Sequence, residues 1–446
     1  MTAFRYEGYE LDVPRRQLAC HYALGSRRFT EVVKVEGAEP PANSGKDRPG
    51  AGGAPDPGAV QAAARLVFLL AGVSYYKTAA PPVVDLGDLA TTAEERRFLR
   101  TFYVDGLAEM AYRNGIDLSE LEVVGPDAGA PAPAGYAPAP GRPLVPFGGG
   151  IDSLVTAEQV RAVHPDASLF VVSRAGDRFT AIEEAAAATG LPVARADRRL
   201  DPSVLRSAEL GFRNGHVPVT GILSAVALLA AVLGGHDAVV MANEWSASSA
   251  TLDVGDRAVN HQWSKSMAFE RGFRQLVAGS LGTGLDYFSL LRPRSELWVA
   301  ERFAGLSRYH PVFRSCNRAF TLDPARRLDH WCGTCDKCCF IDLVLAPFLD
   351  PATLASVFGG REPLVDGGLA GRFESLVGLG DGMKPFECVG DVEECRAAVT
   401  LAASRPDRAG TPLLQSLAAE LGPVAAPAAW QRVLGDHFVP AELLGG

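Results

Sequence analysis

Positive charge in excess is the first thing this chain lacks. Its 43 lysines and arginines are outnumbered by 52 aspartates and glutamates, which leaves a formal net charge of -9 over 446 residues. A protein built to grip a nucleic-acid backbone needs the opposite balance, so no nucleic-acid partner is expected. Long apolar runs are missing too. The longest, Val217 to Gly234, contains Pro218, Thr220, Gly221 and Ser224. It falls short of the roughly 20 residues needed to cross a bilayer, so a buried helix and no membrane partner are expected. Arg5, Glu7, Glu10 and Asp12 break up the apolar stretch a secretory leader requires, which makes the cytoplasm the expected location. No internal repeat marks a solenoid or a propeller.

What is present is an ordinary globular composition, 47% hydrophobic and 21% charged, with length enough for two or three domains. Residues 1–124 read as an N-terminal α+β region. Phe29 to Val35 is strand-like, Ala62 to Ala71 is helical, and Glu94 to Asn114 has a helical pattern closed by Gly115. Inside this region, residues 37–59 are dominated by Gly, Pro and Ala and read as a flexible insertion. From Gly125 to Pro143, sixteen of nineteen residues are Ala, Pro or Gly, which reads as a linker.

Between residues 144 and 350, strands and helices alternate. Leu169 to Ser173, Pro192 to Ala196, Ala238 to Ala242 and Tyr287 to Leu291 are strand-like, while Thr180 to Thr189 and Pro218 to Leu233 are helical. This pattern predicts an α/β fold with a doubly wound, mostly parallel sheet, whose ligands sit beyond the carboxyl ends of the strands. Residues 351–446 read as a mainly helical C-terminal region.

The stretch Pro146-Phe-Gly-Gly-Gly-Ile-Asp-Ser153 joins a predicted strand to a predicted helix. Three glycines clear side chains from the turn, so backbone N–H groups can crowd around an anion at a helix N-terminus. Gly148, Gly149, Gly150 and Ser153 are the candidate phosphate cradle, and Asp152 is the candidate Mg²⁺ ligand. Gly148 to Ser153 resembles the S-G-G-x-D-S pyrophosphate loop (PP-loop) of ATP pyrophosphatases, with glycine in place of the first serine. Pro146 would remove a ladder hydrogen bond from a central strand.

Cysteine supplies the second signal. Cys332, Cys335 and Cys338 are separated by two residues each, and Cys316 lies sixteen positions upstream. Four thiolates in this pattern suit a tetrahedral structural Zn²⁺ in a knuckle over 316–338, with an iron–sulfur cluster or unliganded thiols as the other readings. Cys20, Cys388 and Cys395 are spares.

Polar side chains gather in four more stretches. For His216, a structural histidine is an open reading beside catalysis. Glu244, after a predicted strand, is a helix cap or a chemical group. Asn260-His-Gln-Trp-Ser-Lys265 brings His261 and Lys265 close together. Arg292 follows a strand, where it could hold a phosphate or carboxylate or close a salt bridge. Tyr75, Tyr76 and Lys77 could meet a base and a phosphate or belong to the core.

Together these motifs resemble one bacterial family. They are Ala71-Gly-Val-Ser-Tyr-Tyr-Lys77, Tyr112-Arg-Asn-Gly115, Gly148-Gly-Gly-Ile-Asp-Ser153, Asn214-Gly-His-Val-Pro-Val-Thr220 and Asn260 to Lys265. Ser289-Leu-Leu-Arg-Pro293, Ser315-Cys-Asn317, Trp331-Cys-Gly-Thr-Cys-Asp-Lys-Cys338 and Lys384-Pro-Phe-Glu-Cys-Val-Gly390 follow in order. The family is that of the UDP-N-acetylmuramoyl-L-alanyl-L-glutamate epimerases, MurL.

The resemblance implies peptidoglycan precursor synthesis. The terminal L-glutamate of UDP-MurNAc-L-Ala-L-Glu becomes D-glutamate while ATP is consumed to AMP and pyrophosphate with Mg²⁺. His261 and Lys265 lead as proton-transfer groups, with Glu244 and His216 behind, and Arg292 joins the cofactor-binding set. The rival readings are a carboxylate- or amide-activating enzyme resembling 7-cyano-7-deazaguanine synthase and a non-catalytic ATP-binding module. The sequence leaves the oligomeric state open.

Overall fold

The structure is a computed structural model that describes residues 3–39, 56–129, 132–250, 252–254, 257–321, 323–379, 385–387, 389–423, 430 and 433–445. Its frame is a ten-stranded sheet. The strands in chain order are β1 (Phe4–Asp12), β2 (Gln17–Leu24), β3 (Arg27–Glu39), β4 (Val83–Asp85), β5 (Glu122–Val124), β6 (Leu144–Pro146), β7 (Ser168–Arg174), β8 (Val193–Arg199) and β9 (Ala238–Met241). Two short strands, β10 (Leu252–Val254) and β11 (Arg257–Val259), pair only with each other, and β12 (Asp286–Ser289) returns to the large sheet. The spatial order is β12-β9-β6-β7-β8-β3-β2-β1-β4-β5.

The half containing β12, β9, β6, β7 and β8 is parallel throughout. Its chain order reverses between β6 and β9: β7 and β8 extend to one side of β6, β9 and β12 to the other. That reversal is a topological switch point, where crossovers leave toward opposite faces and open a crevice at the carboxyl ends. The other half begins where β8 pairs antiparallel with β3. Strands β1, β2 and β3 form an antiparallel meander, and β4 and β5 add parallel to its far edge. One sheet therefore runs unbroken from the N-terminal region into the alternating region, mixed but mostly parallel.

Burial alternates as a two-faced sheet requires. Leu144, Phe170 and Val239 enter one core, and their neighbours Val145, Val171 and Val240 enter the other. Helices Pro57–Ala71 and Val219–Gly234 cover the first face and pack on one another. Pro57–Tyr76 is apolar and long enough to cross a membrane, but 78% of its apolar window is buried inside the protein, as in a core helix. The second face carries helices Ile151–Val163, Glu296–Ala304 and Asp336–Leu345, with C-terminal helices such as Val392–Ala403 behind them.

Two boundaries move from their expected places. Of residues 37–59, the first three belong to β3 and the last three to the helix that starts at Pro57. Asp56 caps that helix by accepting from Ala59 N, and residues 40–55 lie outside the described set. The expected helix over Glu94–Asn114 is two helices, Ala93–Val104 and Ala108–Asn114. Gly106 sits at the break, where a Cβ would lie 2.7 Å from Pro218 and 2.3 Å from the Phe102 carbonyl. Only glycine fits there. In the linker stretch, Tyr136 is buried and its hydroxyl donates to the carbonyls of Ala231 and His236.

Candidate active site

The glycine turn lies at the switch point. Its strand β6 is three residues long and meets β9 only through Leu144, so Pro146 stands where that ladder has already ended. Phe147 N still reaches the Phe170 carbonyl of β7 at 2.8 Å. Gly149 has φ +78°, a left-handed conformation, and a Cβ there would stand 2.9 Å from the Ala181 carbonyl. Gly148 opens onto free space. Gly150 is the N-cap of helix Ile151–Val163, and among the described residues no side-chain hydrogen bond caps that helix. Ser153 turns back to donate to the Gly150 carbonyl at 3.0 Å. A bare, uncapped helix start behind a glycine turn is what an anion needs. The Asp152 carboxylate folds over Gly150, with Oδ1 2.6 Å from where a Cβ would be.

Buried acids stand behind this turn. Glu244, Glu296 and Glu394 are each almost wholly enclosed. Burial raises the Glu296 carboxyl well above the usual carboxylate range, and the charges of Glu244, Glu394 and Asp152 add to the effect against Lys337. Burial, then Asp391 and Glu244, push the Glu394 carboxyl up to about 8. Glu394 Oε1 accepts from Glu296 N at 3.3 Å, and Oε2 has no partner among the described residues. Burial thus favours the protonated form of both acids. A phosphate chain at the glycine turn meets fewer negative charges than the residue types suggest.

A second group of side chains has a different character. The His216 and His261 rings are 4.2 Å apart. His261 Nδ1 makes a short hydrogen bond to Glu109 Oε2, and Arg113 Nε reaches Glu109 Oε1 at 2.7 Å. Burial pulls His216 down to about 4, helped by His261, Lys265 and Lys77 and opposed by Glu109, so His216 is a neutral imidazole at pH 7. Lys77 is buried, its Nζ donating to Asn214 Oδ1 and the Gly215 carbonyl at 3.1 Å each, and burial lowers its pKa. Glu109, His216 and His261 could by spacing hold a metal ion. The three cations Arg113, Lys77 and Lys265 around them suit a carboxylate better than a cation.

Arg292 connects the two groups. Its side chain is 1% exposed and ion-paired with Glu270 at 2.9 Å, with Nη1 donating to the Glu244 carbonyl at 2.8 Å and Nη2 to the Lys265 carbonyl. Of the two sequence readings, the salt bridge is the one this geometry supports. Every nitrogen of the guanidinium is occupied within the protein. Asn260 Nδ2 donates to the Ala247 carbonyl at 3.0 Å, a second tie between the segment after β9 and the His261 segment. His261, Lys265 and His216 thus come together, while Glu244 belongs with Asp152 and the buried acids. Tyr75 and Tyr76 are fully buried, which corrects the idea that they stack on a base.

The sulfurs of Cys316, Cys332, Cys335 and Cys338 lie within 4.8 Å of one another. Cys335 and Cys338 are 3.4 Å apart and Cys332 and Cys338 3.6 Å, too far for a disulfide and close to the ~3.8 Å edge of a tetrahedron with ~2.3 Å zinc–sulfur bonds. The donor set fits zinc. The segment that brings Cys316 also touches the glycine turn: Arg314 N donates to the Gly149 carbonyl at 3.4 Å, and Ser315 Oγ lies 3.0 Å from the Gly150 Cβ position.

Sequence reasoning missed two residues here. Glu109 sits in an ordinary Ala-Glu-Met-Ala helix and carries no local signal. Glu387 belongs to a motif that was recognised without a role, and its carboxyl is raised by burial with His261 and Lys337 opposing. Phe386, beside it, packs against Tyr112 at 6.2 Å and lies under Arg113 at 5.0 Å. Lys384 and Cys388 of that motif lie outside the described residues.

A family model described as the MurL N-terminal domain matches residues 1–290, and one described as the MurL C-terminal domain matches residues 312–432. Three relatives carry the printed name UDP-N-acetyl-alpha-D-muramoyl-L-alanyl-L-glutamate epimerase. The protein from Xanthomonas oryzae pv. oryzae is 38% identical over 99% of this chain and 96% of its own. That from Micromonospora sp. is 37% identical over 99% of this chain and 95% of its own, and that from Salinispora tropica 38% over 94% and 88%. No solved structure matches the chain. Matches of this length and identity show that the chain belongs to the MurL family, the UDP-N-acetyl-alpha-D-muramoyl-L-alanyl-L-glutamate epimerases.

Proposed function

We propose that this protein inverts the terminal L-glutamate of UDP-MurNAc-L-Ala-L-Glu to D-glutamate in cytoplasmic peptidoglycan precursor synthesis, by adenylating the α-carboxylate with ATP. Beyond the family match, one observation carries the reading. An uncapped glycine turn resembling a PP-loop follows β6, the histidine and lysine group includes His261 and Lys265 from the segment after β9 on the same sheet, and Arg292 ties Glu244 to Lys265 within that segment.

The chemistry explains why two such groups belong together. An α-proton beside a free carboxylate resists removal, because the enolate would carry a second negative charge. In the first step a carboxylate oxygen attacks the α-phosphorus of ATP and pyrophosphate leaves. The carboxyl becomes an acyl-adenylate with no charge on its carbonyl. Gly148, Gly149 and Gly150 hold the phosphates through backbone N–H groups, and Ser153 holds the turn in shape. Asp152 is the residue that would hold Mg²⁺, which supplies charge neutralisation on the phosphates.

In the second step His261 takes the α-proton, and the electron pair moves into the ester-like carbonyl. Lys265 and Lys77 offset the charge that develops nearby, and neutral His216 can accept or donate beside it. Protonation from the opposite face inverts the carbon, and water then cleaves the acyl-adenylate to D-glutamate and AMP. Cys316, Cys332, Cys335 and Cys338 would hold a structural Zn²⁺, whose role is to fix the segment that clasps the glycine turn.

The test is direct. With UDP-MurNAc-L-Ala-L-Glu, ATP and Mg²⁺, the protein should yield D-glutamate and AMP, and solvent deuterium should enter the α-carbon only when ATP is present. Exchange at equal rate without nucleotide would sink the proposal, and ATP binding without AMP release would point to a non-catalytic module.

A further inference from the structure

Glu109 lies in the N-terminal region, 152 residues before His261, yet its carboxylate is the partner of His261 Nδ1. The break at Gly106 makes this possible, since it starts a new helix, Ala108–Asn114, with its own direction. Glu109 is buried in the first turn of that helix, and Arg113, one turn on, takes its second oxygen at 2.7 Å. We propose that Glu109 is the positioning residue of the proton-transfer site: it fixes the Nδ1–H tautomer of His261, makes Nε2 the basic atom, and stabilises the imidazolium formed when Nε2 takes the α-proton. This deepens the function proposed above and rests on it.

The argument is one of bonding capacity. An ionised carboxylate only accepts, so a hydrogen bond to it requires the proton on Nδ1. Burial works against ionisation of Glu109, but the hydrogen bond and charge of His261, followed by His216 and Arg113, hold its carboxyl below the usual range. A neutral imidazole carrying its proton on Nδ1 has its lone pair on Nε2. When the α-proton moves to Nε2 and its electron pair to the adenylated carbonyl, the product is an imidazolium already paired with a carboxylate. Arg113 keeps that carboxylate anchored and attracts Phe386 over its guanidinium, so the same helix also holds the loop that carries Glu387. The charged and titratable groups around the His216–His261 pair are then Glu109 and Glu387 against His261, Lys77 and Lys265 against His216, and Arg113 against Glu109. Glu109 bonds the ring directly and is an anion, the charge an imidazolium needs.

Glu109→Gln tests this, because the amide oxygen still accepts from Nδ1–H while the charge is gone. Epimerisation kcat should fall roughly 10²-fold with KM and AMP release little changed, and the acidic limb of the kcat profile should move to lower pH as the imidazolium loses its partner. Glu109→Asp should recover part of the rate. A substrate-free measurement runs in parallel: ¹⁵N NMR of the histidine rings should show His261 as the Nδ1–H tautomer in the wild type and in Glu109→Gln, but not in Glu109→Ala. An unmoved pH limb with wild-type kcat in Glu109→Gln overturns the proposal. So does metal analysis finding a metal ion beyond the cysteine site that disappears in His261→Ala, which would make the cluster a metal centre. If the tautomer is as expected but the protein never epimerises the substrate, the functional reading fails and the Glu109–His261 pairing stands.

Discussion

The two halves of the candidate site are built on opposite principles. The glycine turn is made of backbone: φ +78° at Gly149, an uncapped helix start at Gly150, and open space at Gly148. Its flanking acids Glu296 and Glu394 are pushed toward neutrality by burial. The His216–His261 half is made of side chains, charged and cross-bonded, drawn from segments around residues 77, 109, 216 and 261. A helix N-terminus binds any phosphate chain, whereas a proton must be taken at one atom, so the second half needs side chains held in fixed orientation. The difference is between holding charge and moving it.

If that division is correct, the halves fail separately. Asp152→Ala and Gly149→Val should bring the largest losses, abolishing AMP formation and epimerisation together. In Gly149→Val a β-branched side chain meets both the positive φ and the Ala181 carbonyl. His261→Ala should lower epimerisation by roughly 10²- to 10⁴-fold and leave ATP cleavage and pyrophosphate release in place. Both are read by counting AMP and determining glutamate chirality in the same reaction. Loss of AMP formation in His261→Ala would erase the distinction between the halves.

The same division decides what was legible in the sequence. The glycine turn could be read because its geometry is set by consecutive residues, as could the clustering of the cysteines and the strand–helix alternation between Leu144 and Leu291. The meander β1 to β3 was visible only in part, and nothing in it announced that β3 would pair with β8 and join two regions in one sheet. Glu109 was invisible for the same physical reason. Long-range pairing across 152 positions leaves no local pattern, and its helix looked continuous with the one before it because Gly106 breaks the helix by meeting Pro218, a tertiary contact. The partner of Arg292 was not legible, because position after a strand does not tell whether a guanidinium faces solvent or a buried Glu270.

The knuckle sharpens the comparison further, since it touches the glycine turn through Arg314 and Ser315. Metal analysis should find about one zinc per chain. Cys335→Ser should weaken ATP binding by roughly 10-fold, as measured by calorimetry, while the His261 tautomer in ring NMR is retained. Freely titratable thiols in the native protein, with no metal present, would remove the knuckle from this account.

The smallest effect is also the one that separates the halves without substrate. Glu394, at about 8 in the folded protein against 4.5 in a free side chain, keeps its proton in the native state over a range where the unfolded chain has lost it. Its contribution to stability therefore falls as pH rises from about 4.5 to about 8 and is level above, with a slope of at most about 1.4 kcal/mol per pH unit. His216, at about 4 against 6.5, has the opposite sign: the unfolded chain binds the extra proton, so stability rises with pH from about 4 to about 6.5 and is level above. Of these two groups, only Glu394 changes between pH 6.5 and 8. Glu394→Gln, which can still accept from Glu296 N, should lessen the fall of the urea midpoint in that window and steepen the rise between about 4.5 and 6.5, where the two groups oppose each other. His216→Asn should reduce the rise between about pH 4 and 6.5, to which buried His236 also contributes, and leave the window from 6.5 to 8 unchanged. A Glu394→Gln profile parallel to the wild type from pH 6.5 to 8 would mean that Glu394 is ionised in the folded protein and that the glycine turn has a buried negative charge behind it.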